Sequence, residues 1–113
     1  MKIDEYAFGR IVIDGKTYTS DVIIYPDRID ASWWRKEGHL LHFEDLEKAL
    51  AARPAILVVG TGAYGVMKVP RELVDRLAAA GFEVIVERTA KAVESFNRRQ
   101  GAGTVLAALH LTC

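Results

Sequence analysis

Cysteine is almost absent from this sequence: Cys113 is the only one among 113 residues. A single thiol cannot form an internal disulfide, and the end of a chain is a poor position for a buried nucleophile. Neither sign of charge is in excess, because fifteen Lys and Arg offset fifteen Asp and Glu. A balanced charge gives no reason to expect nucleic acid or an anionic membrane as a partner.

Long apolar runs are missing as well. The longest, such as Ala55 to Val59, are far shorter than the roughly 20 residues that span a bilayer. The first residues, MKIDEYAFGR, place Asp4 and Glu5 where a secretory signal would need an apolar stretch, and transit peptides are normally poor in acids. We therefore expect a cytoplasmic protein. Its length favours one domain over residues 1–113.

The first third of the chain predicts a β-meander. Residues 8–13 are rich in β-branched side chains and precede Asp14-Gly15, a strong hairpin signal, after which residues 16–19 return as a strand. Residues 22–25 and 29–33 are expected to form two more strands. Residues 35–42 are interpreted as a connector.

The rest of the chain predicts alternating helices and strands. We expect helices over 43–53, from Pro70 to Gly81, and from a Thr89 cap to Gly101, and strands over 55–59, 82–86 and 104–111. The strand-helix-strand-helix-strand order after residue 55 predicts a largely parallel α/β sheet. The orientation of the last strand stays open, since a short crossover favours parallel pairing and a mixed sheet favours antiparallel pairing.

Gly60 to Gly65 match the G-x-G-x-x-G motif of dinucleotide-binding proteins directly after a buried strand. The motif needs a helix that begins inside it, so that free N–H groups face the pyrophosphate. Pro70 follows five residues later and would lie inside such a helix, at a cost of ~3 kcal/mol. We therefore expect a loop, no bound NAD or FAD, and no cofactor.

The carboxyl ends of the parallel strands offer a candidate ligand site instead. Gly60, Thr61 and Gly62 follow one strand, and Arg88, Thr89 and Lys91 follow the next. Ligands of open α/β sheets usually bind at this end. Loop N–H groups and the helix start could hold a phosphate or carboxylate. The alternative is a loop cluster that binds nothing.

The remaining chemistry-bearing residues indicate no catalytic or metal site. His39, His42, His110 and Cys113 lack a recognised ligand spacing, and a Cys113–His110 nucleophile pair would need a third orienting group. We predict neither catalytic residues nor a metal.

A candidate partner surface comes from Trp33, Trp34 and Arg35. Adjacent residues of an extended segment point to opposite faces, so one indole is exposed unless both faces are covered. Trp and Arg are enriched at interface hot spots. The alternative is that one Trp fills the core while the other covers the sheet edge. The hypothesis is a non-catalytic binding module with a protein partner or a second copy of itself. The alternative is a small-molecule or anion-binding protein, or an enzyme, that uses Gly60-Thr61-Gly62.

Three segments together resemble a known family. The most specific are Gly60-Thr61-Gly62, the Thr89…Ala92-Val93…Phe96-Asn97 pattern and the final ALHLTC. They are similar to the Mth938-like family, domain of unknown function 498. Its relatives include an adipogenesis-associated Mth938 domain-containing protein and a complex I (NADH dehydrogenase) assembly factor. The resemblance implies a three-layer α/β fold around a mixed sheet, no established enzyme activity, and roles in assembly that fit binding.

Overall fold

The computed structural model describes residues 1–101 and 103–113, which form two sheets and three helices. The small sheet is antiparallel and contains β1 (Ile3–Ala7), β2 (Arg10–Ile13) and β3 (Lys16–Tyr18) in that order. The large sheet has the strand order β5-β4-β8-β6-β7. Its strands are β4 (Val22–Ile24), β5 (Ile29–Asp30), β6 (Ile56–Thr61), β7 (Glu83–Glu87) and β8 (Val105–His110).

The centre of the large sheet is β8, which lies between β4 and β6. Every residue of β6 and β8 is buried, as expected for strands covered on both faces. β8 is parallel to β6, with Ile56 opposite Val105, and antiparallel to β4, with Val22 opposite Leu109. Both orientations considered from the sequence are therefore present, one on each side of the same strand, and the sheet is mixed.

Helices cover both faces of the large sheet and make the fold three-layered. One face, which carries Leu57, Val59 and Leu106, packs against α1 (Glu47–Ala51) and α2 (Arg71–Ala79). The other face packs against α3 (Thr89–Arg99) and the inner side of β1 and β2, where Phe96 is fully buried. A 3₁₀ turn over Phe43–Leu46 leads into α1.

The N-terminal strands do not form the single meander that the sequence predicted. The first strand is Ile3–Ala7, and Phe8 and Gly9 form the turn after it instead of starting a strand. β4 leaves the hairpins and pairs with β8, because all three of its residues are apolar and need cover on both faces. The predicted strand 29–33 is only Ile29–Asp30, so Trp33 lies in irregular structure.

Candidate functional site

Four elements bring polar residues to one edge of the large sheet. The parallel strands β6, β7 and β8 end there with Thr61, Glu87 and His110. β4 runs the opposite way, so Asp21, the residue before it, lies at the same edge. α2 was predicted to begin at Pro70; it begins one residue later, at Arg71, with Pro70 as its cap, and as predicted it does not begin within the glycine motif. The loop over 62–69 therefore lies over this edge.

The glycine loop uses its N–H groups inside the protein. The Gly62 N–H donates to Thr89 Oγ1 at 2.9 Å, Ala63 donates to the Thr112 carbonyl at 2.6 Å, and Val66 donates to the Cys113 backbone oxygen at 2.9 Å. A Cβ on Gly62 would lie 2.3 Å from the Cys113 carbonyl carbon. Thr89 therefore occupies the N–H group of Gly62, which the sequence suggested for an anion, and the last two residues occupy those of Ala63 and Val66.

Thr89, predicted as the cap of α3, is instead its first residue. The cap position is Arg88, which makes no side-chain cap hydrogen bond within the described part of the chain. The buried Thr89 hydroxyl donates to the His110 carbonyl at 2.6 Å and accepts from Gly62, so it joins α3, β8 and the glycine loop. Arg88 and Lys91 are exposed on the outside of this junction. The structure thus brings Gly60, Thr61, Gly62 and Thr89 together and leaves the two cations at the surface.

A buried cluster of Asp21, Arg35 and His110 lies beside Thr61 on the α1/α2 face. Asp21 Oδ2 is 2.8 Å from His110 Nδ1 and 2.8 Å from Arg35 Nη1. Asp21 Oδ1 accepts from the Leu111 N–H at 2.7 Å, and Arg35 Nη2 donates to the Gly38 carbonyl at 3.1 Å. The Arg35 and His110 side chains are each 6% exposed, and that of Asp21 is 17% exposed.

The electrostatics of the cluster favour an ionised Asp21. Burial by itself would raise the pKa of the carboxyl group, but hydrogen bonds from His110, the Leu111 N–H and Arg35 outweigh burial and lower that pKa. Of the two groups beside His110 Nδ1, the Asp21 carboxylate can only accept a hydrogen bond and the Arg35 guanidinium can only donate one. The imidazole therefore carries a proton on Nδ1 and donates it to Asp21. Burial and the Asp21 carboxylate together raise the pKa of Tyr6, whose hydroxyl donates to the Leu111 carbonyl at 2.8 Å.

Sequence reasoning missed Asp21 and its pairing with His110. The available signal was His110 itself, a histidine at the end of an otherwise apolar strand, since such a side chain needs a polar partner. The partner could not be identified, because it lies 89 residues away in the sequence. Only the β4–β8 pairing brings the two together.

The three residues of the predicted partner surface separate in the structure. Trp33 is buried, and its Nε1 donates to the Asp45 carbonyl at 2.9 Å. The Arg35 guanidinium turns inward and stacks over the Trp33 ring at 4.7 Å. Trp34 is 76% exposed. Of the three, only Trp34 presents its side chain to the outside.

A pocket of about 500 Å³ lies beside Trp34. Trp33, Trp34 and Ile23 contribute apolar surface, and charged side chains form its rim. We call the following set the Trp34 surface: Trp33, Trp34, Asp30, Lys36, Glu44 and Lys48. Two other exposed aromatic side chains, Phe8 and Tyr64, pack together by the glycine loop with ring centroids 5.9 Å apart.

Metal-ligating side chains do not gather at this edge or elsewhere in the described structure. Among residues 1–101 and 103–113, no three His, Cys, Asp or Glu side chains come together as a metal site would require. His42 instead contacts Glu37 at 2.6 Å. No helix in the described part of the chain has both the length and the apolar character needed to cross a membrane.

The fold and this edge cluster define a small three-layer α/β protein with a mixed sheet. The family model described as a protein of unknown function (DUF498/DUF598) matches residues 3–110, and the chain belongs to that family. Conserved hypothetical protein PH1505 from Pyrococcus horikoshii OT3 is similar over 100% of both chains, with 35% identity and a TM-score of 0.83.

Two further solved structures share the fold. MT938 is 24% identical with a TM-score of 0.81, covering 99% of this chain and 98% of its own. A Bordetella pertussis protein described as a Mth938-like domain is 20% identical with a TM-score of 0.63, covering 97% of this chain and 85% of its own. The resemblance to the Mth938-like family is thus confirmed.

Proposed function

We propose that this protein is a non-catalytic binding module that docks a partner protein on the Trp34 surface. The observation that carries the proposal is an indole 76% exposed directly beside a pocket of about 500 Å³. Exposing an indole forgoes the stabilisation of burying a large apolar side chain. Tryptophan next to a pocket is also typical of interface hot spots.

The pocket wall is held in place before any partner arrives. Trp33 is fixed by its hydrogen bond to Asp45 and by the Arg35 guanidinium stacked on its ring. Asp45 accepts N–H bonds from Lys36 and His42, so the segment that carries the rim is tied to the 3₁₀ turn. A preorganised wall lowers the ordering cost of association, which favours docking.

The rim indicates the chemistry of the partner. Three lining residues, Asp30, Glu44 and Asp45, are acidic and two, Lys36 and Lys48, are basic, so the charges around the pocket nearly balance. A complementary segment carries one apolar side chain that enters the pocket against Trp33 and Trp34, flanked by charged residues of both signs. The rim charges then orient the segment and select against other partners more than they add affinity.

Affinity measurements with single variants test this proposal. Partners are captured with the wild-type chain as bait, identified, and titrated against wild type, Trp34→Ala and Tyr64→Ala. Tyr64 is the matched control, because it is 66% exposed and lies outside the Trp34 surface. We expect Trp34→Ala to weaken binding at least about tenfold, which is ~1.4 kcal/mol, and Tyr64→Ala to change it little. Equal affinity of wild type and Trp34→Ala would refute the assignment.

A further inference from the structure

The Asp21–Arg35–His110 cluster contains buried polar atoms that the fold itself does not satisfy. His110 Nε2 and Arg35 Nε have no hydrogen-bond partner among the described residues. Arg35 Nη1 lies 2.8 Å from Asp21 Oδ2 and is compensated by that carboxylate. Leaving such groups unpaired in a protein interior costs about 1–3 kcal/mol each, and more when they are charged. These atoms lie at the carboxyl end of the parallel strands, where ligands of α/β sheets usually bind, and this placement indicates a ligand.

The unpaired atoms define the chemistry of that ligand. A guanidinium group can only donate, so the ligand must present acceptor oxygens to Arg35. Carboxylate and phosphate oxygens match the planar fork of a guanidinium. In its doubly protonated form the imidazole would add a further donor at Nε2.

The charge balance selects a carboxylate over a phosphate. The Arg35 charge is cancelled by Asp21, so the net charge of the three side chains is zero when His110 is neutral. One carboxylate brings one negative charge, which a single proton on His110 compensates. A phosphoryl group brings about 1.5 to 2 negative charges near neutral pH, which this cluster cannot offset. We propose that Asp21, Arg35 and His110 bind a small carboxylate, together with a proton taken up by His110.

Two other uses of a histidine paired with an aspartate fit less well. A metal ion on Nε2 would lie next to the Arg35 guanidinium, and no third ligand is close among the described residues. Activation of a side-chain nucleophile by His110 would need a free hydroxyl, but both threonine hydroxyls near the cluster are engaged. Thr61 donates to the Glu87 carbonyl, and Thr89 donates to the His110 carbonyl.

An exposed histidine, His39, packs against the cluster. Its exposed ring contacts the His110 ring edge-on, with centroids 5.8 Å apart, and belongs to the loop that also carries Arg35. The ionisable groups around His110 are therefore Asp21, Arg35 and His39, with Tyr6 interacting with Asp21.

NMR titration of the full chain with sodium acetate tests the proposal, with chloride at matched ionic strength as the reference. We expect saturable shifts of the His110 ring resonances, with at least about fivefold tighter binding near pH 5.5 than near pH 7.5, because one proton is taken up. Near pH 7.5, where inorganic phosphate is mostly doubly charged, it should bind more weakly than acetate. No saturable shift, pH-independent affinity, or tighter binding of phosphate at that pH would each overturn the proposal.

Variants separate this site from other surfaces. Arg35→Met and His110→Gln should abolish the acetate response, while His42→Gln, which removes a half-buried histidine outside the cluster, should retain it. Trp34→Ala should also retain it, so loss of partner docking and loss of carboxylate binding are distinguishable. If the buried variants unfold, the titration of the wild-type His110 ring still decides the question. An unchanged response in folded His110→Gln would contradict the assignment.

Discussion

Asp21 links three distant parts of the chain through one short side chain and its carbonyl. Its carboxylate contacts His110 and Arg35 and accepts the Leu111 N–H, while its carbonyl accepts the Trp33 N–H at 3.0 Å. The residue therefore fixes both the end of β8 and the segment that carries Trp33 and Trp34.

Replacing Asp21 with Asn should be strongly destabilising. The substitution keeps the size but removes the charge that compensates the buried Arg35 guanidinium, and breaking a buried ion pair on one side costs about 3–5 kcal/mol. We expect a loss near the lower end of that range, ~3 kcal/mol, since Asp21 is not fully buried. Urea unfolding measures it. Asp75→Asn, which breaks an exposed pair with Arg71, should cost at most about 1 kcal/mol.

The same residue predicts a pH dependence of stability. The folded protein lowers the pKa of Asp21 below its ordinary value of 3.8, so the unfolded chain binds the proton more readily than the folded chain does. The stabilisation is complete above pH 3.8 and is lost as the pH falls through the lower folded-state pKa. In unfolding series at decreasing pH, Asp21→Asn should therefore lose less stability than wild type below that value. If the free energies of unfolding of wild type and Asp21→Asn fell in parallel with decreasing pH, this prediction would be contradicted.

Gly62 predicts a second effect at the residue scale. Its φ of +105° disfavours any side chain, and a Cβ would meet Cys113 backbone atoms. Gly62→Ala should cost at least about 2 kcal/mol. Gly15→Ala isolates the backbone effect, since φ there is +80° but no atom of the described residues lies within 4 Å of the added Cβ. Gly38→Ala has neither problem and should be nearly neutral, and thermal unfolding of the three variants checks the order.

At the scale of elements, local pattern predicted most of the second half of the chain. The apolar run at Ala55–Val59 became β6, and Pro70 and Gly81 bracket α2 as expected. The first half was harder, because pairing decides which strands belong together. Val22–Ile24 looks like a hairpin strand by sequence, yet it completes the central sheet through β8. The periodicity of apolar residues within a strand does not show which distant strand it pairs with.

The same limit applies to the site. Gly60, Thr61 and Thr89 were predicted to meet, because parallel strands end at one edge, and they do. The inward turn of Arg35 and its pairing with Asp21 could not be predicted, since both depend on the β4–β8 register and on an irregular loop. Alternation along an extended segment predicted that one of the two indoles is exposed unless both faces are covered, but it did not predict that the exposed one is Trp34.

Asn97 shows how one side chain couples two elements. From α3 it accepts the Ile3 N–H at 2.9 Å and donates to the Ile3 carbonyl at 2.8 Å, so its amide acts as a strand partner for β1. Asn97→Ala should cost about 1–3 kcal/mol because both Ile3 backbone groups lose their partner. Hydrogen exchange at the Ile3 amide should accelerate. Exchange of the β6 amides should accelerate only as much as the loss in the global free energy of unfolding requires. Unaltered exchange at Ile3 would argue against the coupling.

At the scale of the whole molecule, the two candidate sites are formed by different parts of the fold. The carboxylate site is built into the sheet edge beneath the Arg35–His39 loop, whereas the Trp34 surface lies between that loop and the 3₁₀ turn with α1. Arg35 and Trp33 touch each other, so a ligand on Arg35 changes the stacking that holds the pocket wall. We expect acetate binding to alter partner affinity by no more than a fewfold, since the backbone contacts of Trp33 remain.

Photo-crosslinking tests the central claim, docking on the Trp34 surface, most directly. A photoreactive phenylalanine analogue, which keeps an aromatic ring beside the pocket, is placed at position 34 and, as the control, at Arg71, whose side chain is 88% exposed at the start of α2. The proposed docking predicts one defined adduct from position 34, mapped to an apolar side chain of a different protein, and no such adduct from position 71. The absence of an adduct at 34, the same adduct from both positions, or an adduct only with a second copy of this chain would contradict it.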